Sequence, residues 1–425
     1  MRQGAWVILG QVLSCLGAIA LVLLASKVLG PTEYGKLVFY LIPVGFITQF
    51  FFGSINNGVL RLYSTAVEAR DVKNYVTAVF FLGGLASFGA LLSLVCYYAI
   101  QNFSLTSEFT VIIFIYVVWL SIITGFQSLV FNLQIANCNH LYSSIYQSAD
   151  YIIRLVLILI VSQLNIESAH VILLAYCLSI TLVLGAQVLN FFRRQPSTVT
   201  FSAIDTWCYK VWHYSWPFYV WGLFVAAQAS SDRWAVSTFL SFRDVGLYTV
   251  TVQLFYAPIT ILISASSQFL SPIFYSKIER TAQAFRCSAA QVQIISVVSV
   301  IGSICLASVV FAILWGSSLL IFFMGEEYVH MQQYLPWIVL SSSMFGCGQL
   351  LQLYFMSLNI TKSLLPIKIY TSILCISLNI VGVQFWGMSG VVASGVIFSA
   401  IYLIAISATM WTHWTSTINN TSNTE

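Results

Sequence analysis

The chain has 425 residues, of which 59% are hydrophobic and 7% charged, with a formal net charge of +4. A soluble domain carries about 25% charged residues, so this composition excludes a water-soluble globule and defines a polytopic membrane protein. The apolar runs are continuous and do not alternate with polar residues, which excludes a transmembrane β-barrel and leaves helical spans.

A spanning helix needs about 20 mostly apolar residues. Twelve segments meet that rule: 5–28, 37–60, 75–99, 109–133, 141–163, 169–191, 212–239, 247–271, 290–314, 332–356, 364–384 and 389–411. The first begins MRQGAWVILG and has no small-residue cleavage site after a short apolar core. It reads as a span, not as a removed signal peptide. The seventh, WPFYVWGLFVAAQASSDRWAVSTFL, is interrupted by two charges. All connections are short, the longest being the loops around 192–211 and 272–289, so no extramembrane domain is expected. The nine cysteines are scattered, with no CxxC pair and no His cluster, and read as small buried hydrophobes.

Lys and Arg collect on the cytoplasmic side of membrane proteins. With the N-terminus inside, that side takes Arg2, Arg61, Arg70, Lys73, Arg193, Arg194, Lys210, Lys277, Arg280, Arg286, Lys362 and Lys368, against Lys27, Lys36 and Arg243 outside. Acidic residues such as Glu33, Glu108 and Glu326 fall in the outer loops. Both termini are therefore expected in the cytoplasm.

Two stretches repeat. ASKVLGPTEYGKLVFYLIPVGFITQF (25–50) and VSTFLSFRDVGLYTVTVQLFYAPITI (236–261) superpose Gly35 on Gly246 and Leu29 on Leu240. Each reads as the end of one helix, a tight turn and a second helix containing a proline. An even number of spans per half makes the repeat parallel, about an axis along the membrane normal. The expected architecture is all-α: twelve transmembrane helices in two six-helix bundles, 1–200 and 201–425.

Four charges remain inside spans: Asp150 and Arg154 in the fifth, Asp232 and Arg233 in the seventh. A charge at the bilayer centre costs about 2.5–3.5 kcal/mol or more and is expected to face a bundle interior or wet cavity. Asp150 and Arg154 are four apart and can pair on one helix face. That pair is either self-neutralising and structural or the wall of a polar passage. Adjacent Asp232 and Arg233 lie about 100° apart on a helix and cannot neatly satisfy each other. Amides in the second and fourth spans, including Gln49, Asn56, Asn57, Gln127, Asn132 and Gln134, fit a polar interior. The aromatic run YKVWHYSWPFYVW reads as an interfacial belt, with His213 within it. No P-loop, HExxH or GxSxG motif occurs, so no nucleotide-driven motor and no hydrolase chemistry is indicated.

LGPTEYGKL after the first span, SINNGVLRLYS at the end of the second, and SDRWAVSTFLSFRDVGLY at the seventh resemble the polysaccharide exporters of the multidrug/oligosaccharidyl-lipid/polysaccharide (MOP) superfamily, in particular the O-antigen flippases. The resemblance implies a MATE/MOP-like fold in the bacterial inner membrane. It implies a flippase that carries an undecaprenyl-diphosphate-linked oligosaccharide from the cytoplasmic to the periplasmic leaflet by alternating access. Arg233 and Arg154 would then attract the diphosphate or acidic sugars, with Asp232 and Asp150 beside them. Arg61 would meet the head group or serve as a topology anchor. No cofactor is expected beyond a coupling H⁺ or Na⁺. The implied partners are the lipid-linked oligosaccharide, membrane lipids, an O-antigen polymerase and a chain-length regulator, and no nucleic acid. Two alternatives stay open: a multidrug or cation exporter of the same fold, and a membrane polymerase or glycosyltransferase. The short outer loops speak against an enzyme.

Overall fold

The computed structural model of the chain describes residues 2–103, 110–137, 140–164, 167–194, 204–280, 286–358, 360 and 363–422. Glu108, Lys362 and the expected boundary at residue 200 lie outside them.

The described residues form helices and short turns throughout. In order they are α1 (Arg2–Ile47), a π-helical turn (Thr48–Phe52), α2 (Gly53–Glu68), α3 (Val72–Phe103), α4 (Val111–Ala136), α5 (His140–Gln163) and α6 (Ala169–Arg194). There follow α7 (Ile204–Phe239), α8 (Phe242–Arg280), α9 (Arg286–Met324), a 3₁₀ segment (Glu326–Tyr334), α10 (Leu335–Ser357) and α11 (Leu364–Ser422). Two of these helices are bent rods. α1 breaks at Gly30 (φ 69°, ψ 169°) and α11 at Gly387 (φ 59°, ψ −135°). With the part of α1 after Gly30, the π-turn and α2 forming one continuous rod, the breaks give twelve helical rods among the described residues, the number of segments expected from hydropathy. Helix ends overrun the expected limits: α8 continues to Arg280 and α9 to Met324.

The turn at Gly30 follows from local chemistry. A non-glycine residue at positive φ costs roughly 1–2 kcal/mol. Pro31, next in sequence, suits the first turn of a new helix, where its missing N–H would have had no partner. The counterpart break between α7 and α8 falls at Leu240 and Ser241. Residue 241 lies 211 positions after residue 30, the same offset that aligns Gly246 with Gly35. Sequence repeat and structural turn coincide.

The chain divides into two compact units, Met1–Trp234 and Ala235–Glu425. The division falls inside α7, whose first part packs into the first unit. Ile204, Trp207 and Val211 are buried in the same apolar cluster as Val59, Tyr63 and Tyr75. The Trp207 indole N–H donates to Asp71 Oδ2 at 2.7 Å, and Lys210 Nζ sits 4.6 Å from the Trp207 ring centroid. Further along, Ser54 Oγ donates to Phe218 O at 3.1 Å. The exposed aromatics Tyr209, Trp212, Tyr214 and Trp216 lie on the same segment, with His213 stacked on Tyr209.

The apolar faces left uncovered belong to lipid-facing helices, as Phe81, Leu85 and Phe88 do on α3 and Val300, Ile304 and Phe311 on α9. In the second unit the core gathers on α10, where Leu350, Tyr354 and Phe355 are fully buried. Without a hydrophobic drive between helices in lipid, packing and polar contacts hold such bundles together.

One polar contact ties the α1 turn to a later helix. Glu33 Oε2 accepts the Ala169 N–H at 3.1 Å, capping the start of α6, while Glu33 Oε1 pairs with Lys36 at 2.9 Å. A carboxylate at a helix N-terminus satisfies an orphan N–H and complements the helix dipole. Glu33→Ala is expected to lower stability by about 1 kcal/mol, read as a modest fall in the thermal midpoint of the detergent-purified protein. An unchanged midpoint would show that the cap is dispensable.

Candidate functional site

The first unit contains a cavity of about 280 Å³ in which every lining residue but Phe131 carries a polar side-chain group. α5 contributes Tyr146, Gln147, Asp150, Tyr151 and Arg154. Their spacing of three and four residues places all five on one helical face. α4 contributes Thr124, Gln127, Ser128 and Phe131, α6 contributes Gln187, and the π-helical turn contributes Thr48.

The π-turn is built by two local features. The Gly53 N–H reaches back to Thr48 O, five residues earlier. Phe52, fully buried, occupies the space that a side chain at position 125 would fill, so Gly125 leaves room for its ring. Such bulges widen a helix by one residue and occur often at functional sites. Here the turn leaves Thr48 Oγ1 at the cavity, buried and without a hydrogen-bond partner.

Asp150 and Arg154 form a two-point ion pair. Arg154 Nε donates to Asp150 Oδ1 at 3.0 Å, and Nη2 lies 2.7 Å from Oδ2. Ser179 Oγ on α6 adds a third donor to Oδ1 at 2.8 Å. The guanidinium also lies 4.9 Å from the Tyr176 ring centroid, within cation–π range. The two side chains are 16% and 11% exposed, so the pair resides in a low-dielectric interior. Pairing offsets much of the cost of burying either charge alone. Arg154 has five N–H donors, and the carboxylate engages two of them. The remaining donors can take an anionic or hydroxylated ligand without breaking the pair.

An amide network orients the rest of the wall. Gln187 Nε2 donates to Gln134 Oε1 at 3.0 Å, and Asn190 Nδ2 donates to Tyr146 OH at 2.8 Å. Asn56 Nδ2 donates to Ser128 Oγ at 3.1 Å, joining α2 to α4. Gln187 is 1% exposed, lines the cavity, and its Oε1 has no partner. An unpaired buried acceptor costs about 1–3 kcal/mol, a cost that a hydroxyl-bearing ligand or water would remove.

The other sequence-derived candidates lie apart from this wall. Asp232 Oδ1 accepts the Arg233 backbone N–H at 2.8 Å, so the adjacent charges meet through the main chain and not as an ion pair. Both are half-buried on α7, and Arg233 Nε is buried without a hydrogen-bond partner. Arg61 is exposed on α2. Of the five candidates, the cavity brings together Asp150 and Arg154. It also recruits Thr48, Tyr146, Gln147 and Gln187, which sequence reasoning did not single out. The signal was present in YQSADYIIR, read as one face at helical spacing instead of as two isolated charges.

Long apolar helices around a charged, amide-lined cavity define a polytopic membrane protein. The sequence profile of the polysaccharide biosynthesis protein family matches residues 1–278. The chain belongs to that family. Among solved structures it resembles the lipid II flippase MurJ in an inward closed conformation (14% identity, TM-score 0.71, covering 95% of this chain and 86% of that one). It also resembles a mutant of the Vibrio cholerae MATE transporter VcmN (15%, 0.69, 98% and 97%) and a MOP superfamily transporter from Pyrococcus furiosus (14%, 0.67, 98% and 95%). The fold is thus of the MATE/MOP type. No curated protein matches the chain significantly.

Proposed function

We propose that this protein is a flippase that carries a lipid-linked oligosaccharide across the bacterial inner membrane, from the cytoplasmic to the periplasmic leaflet, by alternating access. The cargo is an undecaprenyl-diphosphate-linked repeat unit of the O-antigen type. The observation that carries the reading is the polar cavity around Asp150 and Arg154 in a chain of the polysaccharide biosynthesis family.

The physical logic follows from the cargo. Its tail is at home among acyl chains, but its diphosphate and sugars need a path that replaces water. Arg guanidinium groups suit phosphate oxygens through two-point contacts. Arg154 and Arg233 supply those contacts, Asp150 and Asp232 keep the path from becoming an anion trap, and Arg61 meets the head group at the inner end of α2. The carboxylates are also the places where a coupling H⁺ or Na⁺ would act. Both termini lie in the cytoplasm on this reading, and a polymerase and chain-length regulator take the product on the far side.

The test is genetic and chemical. A deletion strain is expected to lose surface glycan and accumulate the lipid-linked repeat unit on the cytoplasmic face, with recovery on re-expression. Accumulation on the periplasmic face would instead mark a polymerase. Unchanged glycan with new drug sensitivity would mark a drug exporter. Within this assay Arg233→Ala at normal expression is expected to reduce surface glycan roughly tenfold or more, the loss of one charge-assisted contact of about 1.5–3 kcal/mol. Arg233→Lys is expected to keep part of it. Wild-type glycan with the Ala variant would remove Arg233 from the path.

A further inference from the structure

The second unit holds a cavity of its own, about 370 Å³, between α8 and α10. We infer that it is a binding subsite for an uncharged sugar of the cargo, an inference that rests on the flippase reading above.

The wall is built from one face of each helix. Tyr256, Thr260 and Ser267 stand on α8 at helical spacing, and Ser342, Gln349 and Gln352 on α10. Among the described residues, no charged side chain lines it. That separates it from the first cavity, which carries the Asp150–Arg154 pair. A charged ligand entering an uncharged, low-dielectric pocket loses hydration that nothing replaces. A neutral polyol loses only hydrogen bonds, which amides and hydroxyls can return.

The two glutamines are arranged to return them. Gln352 Nε2 donates to Gln349 Oε1 at 2.5 Å and also to the Tyr402 hydroxyl. Each amide then has one end committed and one end free: Gln349 keeps its N–H donors and Gln352 its carbonyl acceptor. Exchanging oxygen and nitrogen in both amides leaves the same complement, one donor and one acceptor side by side. Neighbouring hydroxyls on a pyranose ring, each both donor and acceptor, match such a pair. Tyr402, 2% exposed, fixes the position of Gln352, and it lies beside Phe345 with ring centroids 5.1 Å apart. Phe345 lines the cavity together with Ile259 and Ile263, giving an apolar wall for the C–H face of a sugar. The volume lies within the range of small-ligand pockets, roughly 300–1,000 Å³.

The test uses saturation-transfer NMR on the full-length protein in detergent, with methyl glucoside, methyl N-acetylglucosaminide and methyl fucoside as neutral probes and methyl glucuronide as the acidic one. At least one neutral glycoside is expected to receive saturation, with the glucuronide about tenfold weaker. Gln349→Leu and Gln352→Leu are each expected to cut the neutral signal about fivefold, the loss of one neutral hydrogen bond. Gln352 also holds the buried Tyr402, so its variant counts only if it elutes as a single species. Gln349 is half-buried, and its variant alone suffices for the test. Absence of transfer to every neutral probe, a glucuronide signal as strong as theirs, or an unchanged signal in Gln349→Leu would overturn the inference. The flippase reading fails separately, through normal surface glycan in the deletion strain. Glycan loss in that strain together with an unaltered Gln349→Leu signal leaves the flippase standing and removes this subsite.

Discussion

Asp150→Ala is expected to be the most damaging single substitution in the first unit. It leaves the Arg154 guanidinium, 16% exposed, with no carboxylate at 2.7 Å, and leaves the Ser179 hydroxyl only its longer contact to the carbonyl of residue 150, at 3.2 Å. Removing one partner of a buried pair typically costs about 3–5 kcal/mol, because the other charge stays behind. The matched double variant, Asp150→Leu with Arg154→Leu, removes both charges and is expected to regain most of that stability. It is not expected to restore surface glycan. Thermal unfolding of the purified variants, alongside surface glycan in the complemented deletion strain, separates the two roles. A double variant that is stable and also transports normally would make the pair purely structural. A single variant as stable as the parent would contradict the geometry of the pair.

The second large effect is expected at the hairpin around Gly387. A Cβ on Gly390 would fall far inside van der Waals contact of Gly382 O and its carbonyl carbon. The obstructing atoms are backbone, so no rotamer change relieves the clash. Ser394 Oγ bridges the same crossing, within 2.7 Å of both Leu378 O and Gly390 O. Two helix backbones meet here as closely as small residues permit in membranes. Gly390→Ala is expected to cost about 3 kcal/mol or more, at the upper end for overpacking. The readout is the yield and thermal midpoint of the detergent-extracted protein. Ser394→Ala, which deletes only the bridging hydroxyl, is expected to cost about 1 kcal/mol. Equal losses in the two variants would mean the hydrogen bonds, not the closeness of the backbones, hold the hairpin.

The fold was legible because hydropathy and helix length report it directly. The paired turns at Gly30 and at Leu240–Ser241 were visible as LGPTEYG and LSFRDVG at one offset. The placement of α7 was not visible, because it depends on Trp207 finding Asp71 across 136 positions of sequence. The candidate site was half legible. Asp150 and Arg154 stood out as charges in an apolar helix, and their spacing predicted the pairing. Asp232 and Arg233 stood out equally, and adjacency argued that they do not neatly satisfy each other. What it could not give was the main-chain hydrogen bond that Asp232 makes instead. Thr48 and Gln187 escaped notice because lone polar residues in spans are common. Only the π-turn and the packing of α4 against α6 bring these two to a shared wall.

The intrahelical pairing of Asp150 with Arg154 also bears on how the chain enters the bilayer during synthesis. Partners four residues apart meet as soon as their own helix forms, so the fifth segment can leave the translocon as an electrically balanced unit before any neighbour arrives. The seventh sends Asp232 and Arg233 off in diverging directions and gains no such balance from their adjacency. Its lodging in lipid is therefore expected to lean on companions already in place.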